Sequence, residues 1–381
     1  MGKRRDGAAA HARWNDAVQR HAAAYPELAA QFARVIRGQL PAGWEGALPD
    51  FAGASAQATR ASSGSCIAAL AAAIPELVGG SADLAPSNNT TIEGGPGGGP
   101  LTNREISKGD AVLPGRLGGR VLHFGIREHG MGAILNGMAA HGGLRAFGAT
   151  FLVFADYMRG SVRLASLMRL PVVYVWTHDS IMLGEDGPTH QPIETIMALR
   201  MLPGMRIIRP ADATETAEAW RLALEHDGPV GLALSRQKLP VLDRSVLAPA
   251  AGVRRGAYVL ADAAGGPPDT VLIGTGAEVH ELLAARAELA ADGVRARVVS
   301  MPDWNLFEQQ DDAYIDEVLP PSLTHRVSLE AGTTFGWSRF VGRDGIALGI
   351  DRFGASAPAS ALAKEYGITA EAVVAAVRSL H

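Results

Sequence analysis

The sequence predicts an α/β protein of two domains, each a mostly parallel sheet with helices on both faces, preceded by a helical leader. Three observations carry this reading. The chain has 381 residues, too many for one ordinary core and enough for two that each bury most of their apolar surface. Short apolar runs alternate with helix-length amphipathic segments, the pattern of strand-helix-strand crossovers over a parallel sheet. The 45 glycines suit many tight strand-to-helix turns.

From Ala8 to Arg37 the Ala, Arg, Glu and Gln content favours helix, while Val18, Leu28, Phe32, Val35 and Ile36 form only a broken apolar stripe. This is the leader, within residues 1–50, and Pro41, Gly43 and Pro49 end it. In a first domain over residues 51–244, Val121 to Phe124, Val172 to Trp176, Arg206 to Ile208 and Leu232 to Leu234 read as buried strands. Between them Glu128 to Ala140, Phe154 to Met168 and Thr214 to His226 read as helices. A polar, Pro-containing stretch from Leu242 to Gly252 leads to a second domain over residues 252–381, with strands near Thr270 to Ile273, Ala296 to Val299 and Arg326 to Leu329. The segment Gly94 to Pro100 can sustain neither helix nor strand, so a mobile loop is expected there.

Composition narrows the function. A formal net charge of -4 supplies no electrostatic footprint for nucleic acid, and an anionic substrate would need a local arginine cluster instead. One cysteine, Cys66, excludes an internal disulfide and a cysteine-rich metal site, which makes the cytosol the natural compartment. The basic, Ala-rich start lacks an apolar core segment, and no uninterrupted apolar run is long enough to span a bilayer, so neither secretion nor membrane insertion is expected.

Parallel sheets gather ligands at the carboxyl ends of their strands, which gives weight to four motifs. The first, Gly79-Gly80-Ser81-Ala82-Asp83-Leu84-Ala85-Pro86-Ser87-Asn88, has glycines that turn the chain after an apolar segment, and its Ser, Asp and Asn suit a capped turn or a ligand site equally. The second, His123-Phe124-Gly125-Ile126-Arg127-Glu128-His129-Gly130, places Glu128 in the first turn of a helix, either as a complement to the helix dipole or as a carboxylate offered to a protonatable ring nitrogen. The third, Thr177 to Gln191, concentrates His178, Asp179, Glu185, Asp186 and His190 in one loop. Zinc is the rival reading for that loop, but its two histidines lack i, i+4 spacing and no third lies near. In the fourth, Ser235-Arg236-Gln237-Lys238, Arg236 ends a strand as a surface charge or as a planar clamp for phosphate, and Arg60 at the start of a helix poses the same choice. Two leads fail: Gly109-Asp110-Ala111 lacks the second glycine of a Gly-Asp-Gly metal and diphosphate motif, with Asn136 inside a helix, and Gly274-Thr275-Gly276 is too short for a dinucleotide fingerprint. No metal site of this chain's own is therefore expected.

Taken in order, the four motifs resemble those of transketolases, as do Val298-Val299-Ser300-Met301-Pro302 and Phe353-Gly354-Ala355-Ser356-Ala357-Pro358. The likeness runs from about Trp14 to the end, and it is to the pyrimidine-binding and C-terminal domains that form the latter part of the usual family chain, as in the C-terminal subunit of a split transketolase. It implies transfer of a two-carbon ketol unit between sugar phosphates with thiamine diphosphate, within the pentose phosphate pathway. By position, Glu128 would bond the ring nitrogen of the aminopyrimidine, and Phe154 would stack on it, with Phe151 and Tyr157 completing an apolar wall; all three aromatics also fit a core helix stripe. His178 and His190 would contact sugar oxygens, Asp186 a substrate hydroxyl, and Arg60, Ser87 and Arg236, with His178, the sugar phosphate. Where the family usually has a lysine after the arginine, this chain reads Ala61-Ser62-Ser63-Gly64-Ser65-Cys66. The resemblance also implies that the diphosphate and its Mg or Ca belong to a separate diphosphate-binding subunit, most simply in an α2β2 assembly. A non-catalytic homologue, or the β subunit of another two-subunit thiamine enzyme, is the alternative.

Overall fold

The structure is a computed structural model that describes residues 2–94, 102, 106–108, 111–113 and 118–380. The loop expected at Gly94 to Pro100 falls, beyond Gly94, outside the described residues, as do Gly109 and Asp110. In place of one continuous leader there are two helices, Gly2–Ala24 and Pro26–Ile36. Pro26 causes the break, because proline suits the first position of a helix and cannot continue one. A two-toothed ion pair, Arg34 to Glu76 at 2.6 and 3.1 Å, ties the second helix to the body.

In chain order the strands are β1 Leu77–Ser81, a short antiparallel pair β2 Ile106–Lys108 and β3 Ala111–Leu113, then β4 Val121–His123, β5 Arg145–Phe151, β6 Val172–Thr177, β7 Arg206–Ile208 and β8 Val230–Leu234. Six of them form one wholly parallel sheet in the order β4-β1-β5-β6-β8-β7. Helices Glu128–His141, Arg159–Met168 and Ala213–Glu225 are among those that cover it. The second sheet comprises β9 Tyr258–Ala261, β10 Thr270–Gly274, β11 Ala296–Ser300, β12 Arg326–Leu329 and β13 Ile346–Leu348, ordered β13-β12-β10-β11-β9 with only β9 antiparallel. Two mostly parallel sheets with helices is the fold class the sequence predicts.

One local reading is corrected. Gly79 and Gly80 do not turn the chain but lie inside β1, wedged between β4 and β5. A Cβ on Gly80 would sit 1.8 Å from the Leu122 carbonyl oxygen, and one on Gly79 2.1 Å from that of Phe147. Glycine is thus demanded by strand crowding, and the turn begins only after Ser81. The expected helix from Phe154 also differs: Leu152–Met158 is 3-10 helix and the α-helix starts at Arg159.

The two domains are joined by buried charge. Arg209, which follows β7 and is fully buried, donates from Nε to Asp179 Oδ2 at 2.8 Å, and from Nη1 to the Thr275 carbonyl at 3.0 Å and to the Glu278 carboxylate. Beside it Arg200 grips Glu330 with two bonds of 2.7 and 2.8 Å, and Trp337 Nε1 donates to the same carboxylate at 3.0 Å. A second seam has Tyr258 and Ser300 of the second domain donating to the buried Glu215 at 2.7 and 2.8 Å. Removing one partner from a buried ion pair strands the rest in low dielectric. Arg209→Ala should therefore lower the free energy of unfolding by about 3–5 kcal/mol, measured by denaturant titration against the parent chain.

Candidate active site

β1 connects onward to β4 on one side and β5 to β6 on the other, so a crevice opens at their carboxyl ends, where doubly wound sheets bind ligands. All four sequence motifs reach this edge, following β1, β4, β6 and β8, and β5 adds Phe151 as its last residue. The aromatic residues gather there. Phe151 stacks on His178 with ring centroids 3.7 Å apart and on Phe154 at 5.8 Å, while His190 meets Phe154 edge-on at 5.4 Å. Tyr157 lies 5.9 Å from Phe154, because three residues per turn in the 3-10 segment bring positions i and i+3 onto one side. A core stripe does not describe these rings: Phe151 is buried, Phe154 half-buried and Tyr157 70% exposed.

Glu128 opens the helix Glu128–His141 after a turn in which Gly125 takes φ 70°. It is half-buried, and among the described residues its carboxylate has no hydrogen-bond or ion-pair partner. His178 is 4% exposed and holds φ 61°, a left-handed backbone that a non-glycine residue rarely adopts. Burial, then the charges of Arg60 and Arg236 and the neighbouring His190, push its imidazole down to about 3. His178 is thus neutral across the physiological range, and both arginines stand within electrostatic reach of it.

The two arginines meet through a stitch between distant segments. Thr59 N donates to Ser235 Oγ at 3.0 Å and Ser235 N to Thr59 Oγ1 at 2.7 Å, which pins the start of helix Thr59–Ala73 to the end of β8. Arg60 is half-buried and depressed by burial and by Arg236, whereas Arg236 is exposed. The main-chain carbonyl of Ser87 accepts from Arg60, which brings these two residues together. Asp186 is exposed between Gly184 and Gly187, both at positive φ, and among the described residues nothing links its side chain to the histidines.

Sequence reasoning gave no role to the residues that hold the loop after β6. Gln191 Nε2 donates to the Gly184 carbonyl at 3.0 Å and to that of Ala355 at 2.9 Å, and Ser356 Oγ donates to the Glu185 carbonyl. A Cβ on Gly354 would lie 1.7 Å from Gln191 Oε1. The Phe353-to-Pro358 motif, which the sequence offered only as part of the family resemblance, is therefore a clasp from the second domain. Among the described residues no group of three or more His, Cys, Asp or Glu could hold a metal ion. Asn136 is occupied structurally, donating to the Ser161 carbonyl at 2.8 Å. Burial pushes the Cys66 thiol up to about 12, which removes it as a nucleophile.

Fold and site together define a two-domain, doubly wound α/β protein whose polar and aromatic motifs gather at the switch point of its first sheet. Residues 55–241 match the family model for the transketolase pyrimidine-binding domain and residues 256–369 that for the transketolase-like C-terminal domain. The chain belongs to the transketolase family. It is 50% identical to the transketolase of Geobacillus stearothermophilus over 98% of this chain and 54% of that protein. Among solved structures, the transketolase of Leishmania mexicana superposes with a TM-score of 0.87 at 42% identity, over 98% of this chain and 52% of that one. A structure described as a split gene transketolase, inactive beta4 tetramer, is similar at TM-score 0.67 and 26% identity, over 85% of this chain and 98% of that one. The chain spans about half the length of the curated relatives it matches.

The depressed histidines set a pH dependence. Burial lowers His178 to about 3 and His226 to about 4, so below their ordinary value the unfolded chain binds protons that the folded chain refuses. The stability that this contributes is fully present above about pH 6.5 and is lost as pH falls, at up to about 1.4 kcal/mol per pH unit for the buried His178 and less for the partly exposed His226, where solvent screens the effect. His178→Gln should flatten this fall between about pH 6.5 and pH 4, read from denaturant titrations across that range.

Proposed function

We propose that this chain is the pyrimidine-binding and C-terminal component of a thiamine-diphosphate-dependent transketolase, with residues 51–244 and 252–381 as its two domains. With a separate diphosphate-binding subunit, most simply as α2β2, it would move a two-carbon ketol unit from a ketose phosphate to an aldose phosphate. The observation that carries the reading is a half-buried Glu128, without a side-chain partner among the described residues, on the same sheet edge as the Phe151, Phe154, Tyr157, His178 and His190 rings. Cytoplasmic residence suits its single buried cysteine, and among the described residues no helix is long and apolar enough to cross a membrane.

The residues fit one end of the cofactor. An aminopyrimidine is flat and apolar on its faces and polar at its ring nitrogens, which matches an aromatic wall beside a carboxylate. Among the described residues no group of three or more His, Cys, Asp or Glu could hold a metal ion, and in this proposal the diphosphate and its Mg or Ca are held by the partner subunit. When bound, thiamine diphosphate supplies the carbon nucleophile and electron sink of the reaction. Glu128 would hold a proton at the pyrimidine ring nitrogen, a bond that strengthens as Phe151 and Phe154 keep water away. Arg60, Ser87 and Arg236, with help from His178, would bind the sugar phosphate, and the Ser87 carbonyl also steadies Arg60. His178 and His190 would contact sugar oxygens and Asp186 a hydroxyl. The neighbour described as an inactive beta4 tetramer supports partner dependence.

In the test, the purified chain with thiamine diphosphate and Mg should show negligible ketol transfer from xylulose 5-phosphate to ribose 5-phosphate. Adding a transketolase diphosphate-binding half should restore it, and Glu128→Ala should cut the restored rate by ~10²–10⁴-fold while the chain stays folded. Robust turnover by the chain alone would refute the partner requirement, and turnover of pyruvate by the complex would move the chain to another class of two-subunit thiamine enzyme.

A further inference from the structure

We infer that Ser356, from the second domain, is a positioning residue that fixes Asp186 against the crevice and so sets how strictly a sugar hydroxyl is demanded. This rests on the proposed sugar-phosphate site, in which Asp186 reads that hydroxyl. Asp186 is exposed, and its side chain has no bonded neighbour among the described residues. A carboxylate discriminates between substrates only where its position is held. The order has to come from the backbone that carries it.

That backbone is a two-residue tip, Glu185 and Asp186, exposed between two buried glycines. Gly184 holds φ 89° and ψ -125° and Gly187 φ 79°, conformations that glycine adopts at no steric cost. Gly187 N donates to the Gly184 carbonyl at 3.2 Å and His190 N to the Gly187 carbonyl at 3.0 Å, so two successive turns carry Asp186 and His190 as one piece. These bonds fix the shape of the piece and leave its aim to whatever lies behind it.

Behind it runs the segment from Phe353 to Pro358. Ser356 Oγ donates to the Glu185 carbonyl, which belongs to the very peptide unit that leads into Asp186. A Cβ on Gly187 would come within 3.3 Å of Ser356 Cβ, and one on Gly184 within 3.6 Å of the Ala357 carbonyl oxygen, so the two glycines let the tip sit directly on this segment. Gln191, 2% exposed, ties the base of the loop through the Gly184 and Ala355 carbonyls at 3.0 and 2.9 Å. The two anchors divide the work. Gln191 closes the loop, whereas Ser356 is, among the described residues, the side chain that bonds its tip.

Rotating the Glu185-Asp186 peptide unit would swing the Asp186 side chain, and glycines at both ends of the tip offer that rotation little resistance. The Ser356 bond opposes it. A site built to bond a hydroxyl rejects the analogue that lacks it, so a residue of the second domain tunes a choice made at the edge of the first.

The test has two arms. In the full chain alone, hydrogen exchange across residues 181–191 should quicken about 10-fold in Ser356→Ala, with β6 and β8 unchanged, and should return to the parent rate in Ser356→Thr, which keeps the hydroxyl. In the complex with a diphosphate-binding half, the kcat/KM ratio of ribose 5-phosphate over its 2-deoxy or 3-deoxy analogue should fall about 3- to 10-fold in Ser356→Ala and recover in Ser356→Thr. In an Asp186→Ala background, Ser356→Ala should leave that ratio unmoved. Unchanged exchange in Ser356→Ala, or a change of ratio that persists without Asp186, overturns the inference. An inactive complex, or an Asp186→Ala ratio equal to the parent's, sinks instead the proposed role of the site, and the exchange arm still decides whether Ser356 holds the tip.

Discussion

Arg209 is the interaction on which the rest of the structure depends. Its guanidinium lies at the end of β7 with no exposure, and it bonds at once to the loop after β6 through Asp179 and to the second domain through Thr275 and Glu278. Its main chain is used as well, with Arg209 N donating to the Pro302 carbonyl and Gly276 N donating back to Arg209 O, each at 3.0 Å. Two guanidiniums, Arg209 and Arg200, face three carboxylates. Burial pushes the Glu278 carboxyl above its ordinary range, while burial in Glu330 is outweighed by Arg200 and its value falls. Such a cluster is a poor source of net stability and a strong source of uniqueness, because no shifted packing of the two domains would satisfy so many buried charges.

That fixed junction explains how His178 can keep a left-handed backbone. A strained residue persists only when its surroundings over-determine it, and here both ends of the loop are tied. Asp179, the next residue, is bound by Arg209 at 2.8 Å, and Gln191 at the far end is held by Gly184 and Ala355. The second domain thus acts on the crevice without reaching into it. It supplies the clasp, and the first domain supplies the rings, the carboxylate and the arginines.

Sequence patterning revealed what is periodic and hid what is convergent. β7 and β12 were legible to the residue, since Arg206–Ile208 and Arg326–Leu329 are short apolar runs flanked by polar turns. β1 and β5 were not, because Gly79, Gly80 and Gly148 interrupt their apolar runs, and those glycines answer to neighbouring strands and helices that lie far off in sequence. Of the site, the residues that would touch ligand stood out as dense polar motifs. The residues that hold them did not: Arg209 reads as an ordinary charge between an isoleucine and a proline, and Ser81, Asn88 and Thr177 become one hydrogen-bonded unit only once the ends of β1 and β6, on either side of β5, share one sheet edge. Glu215, buried and bonded to Tyr258 and Ser300, looks in sequence like any glutamate on a helix.

The same division between touching and holding bears on how far the crevice is complete. A carboxyl group and a ring nitrogen that share a proton are held weakly together in water, where both partners are already hydrated, and strongly where water is excluded and the local dielectric falls. Glu128 is half-buried at the start of a helix whose Met131 and Leu135 are buried, and the turn before it carries Ile126 at 78% exposure, while Tyr157 on the same sheet edge is 70% exposed. A second polypeptide laid over Ile126 and Tyr157 would bury apolar area and dry the Glu128 carboxylate in one step, so the contact that holds the proposed partner and the contact that strengthens the glutamate bond would be the same contact. Under the function proposed above, ketol transfer would be conditional on assembly for a dielectric reason, independent of which residues the partner contributes to the diphosphate.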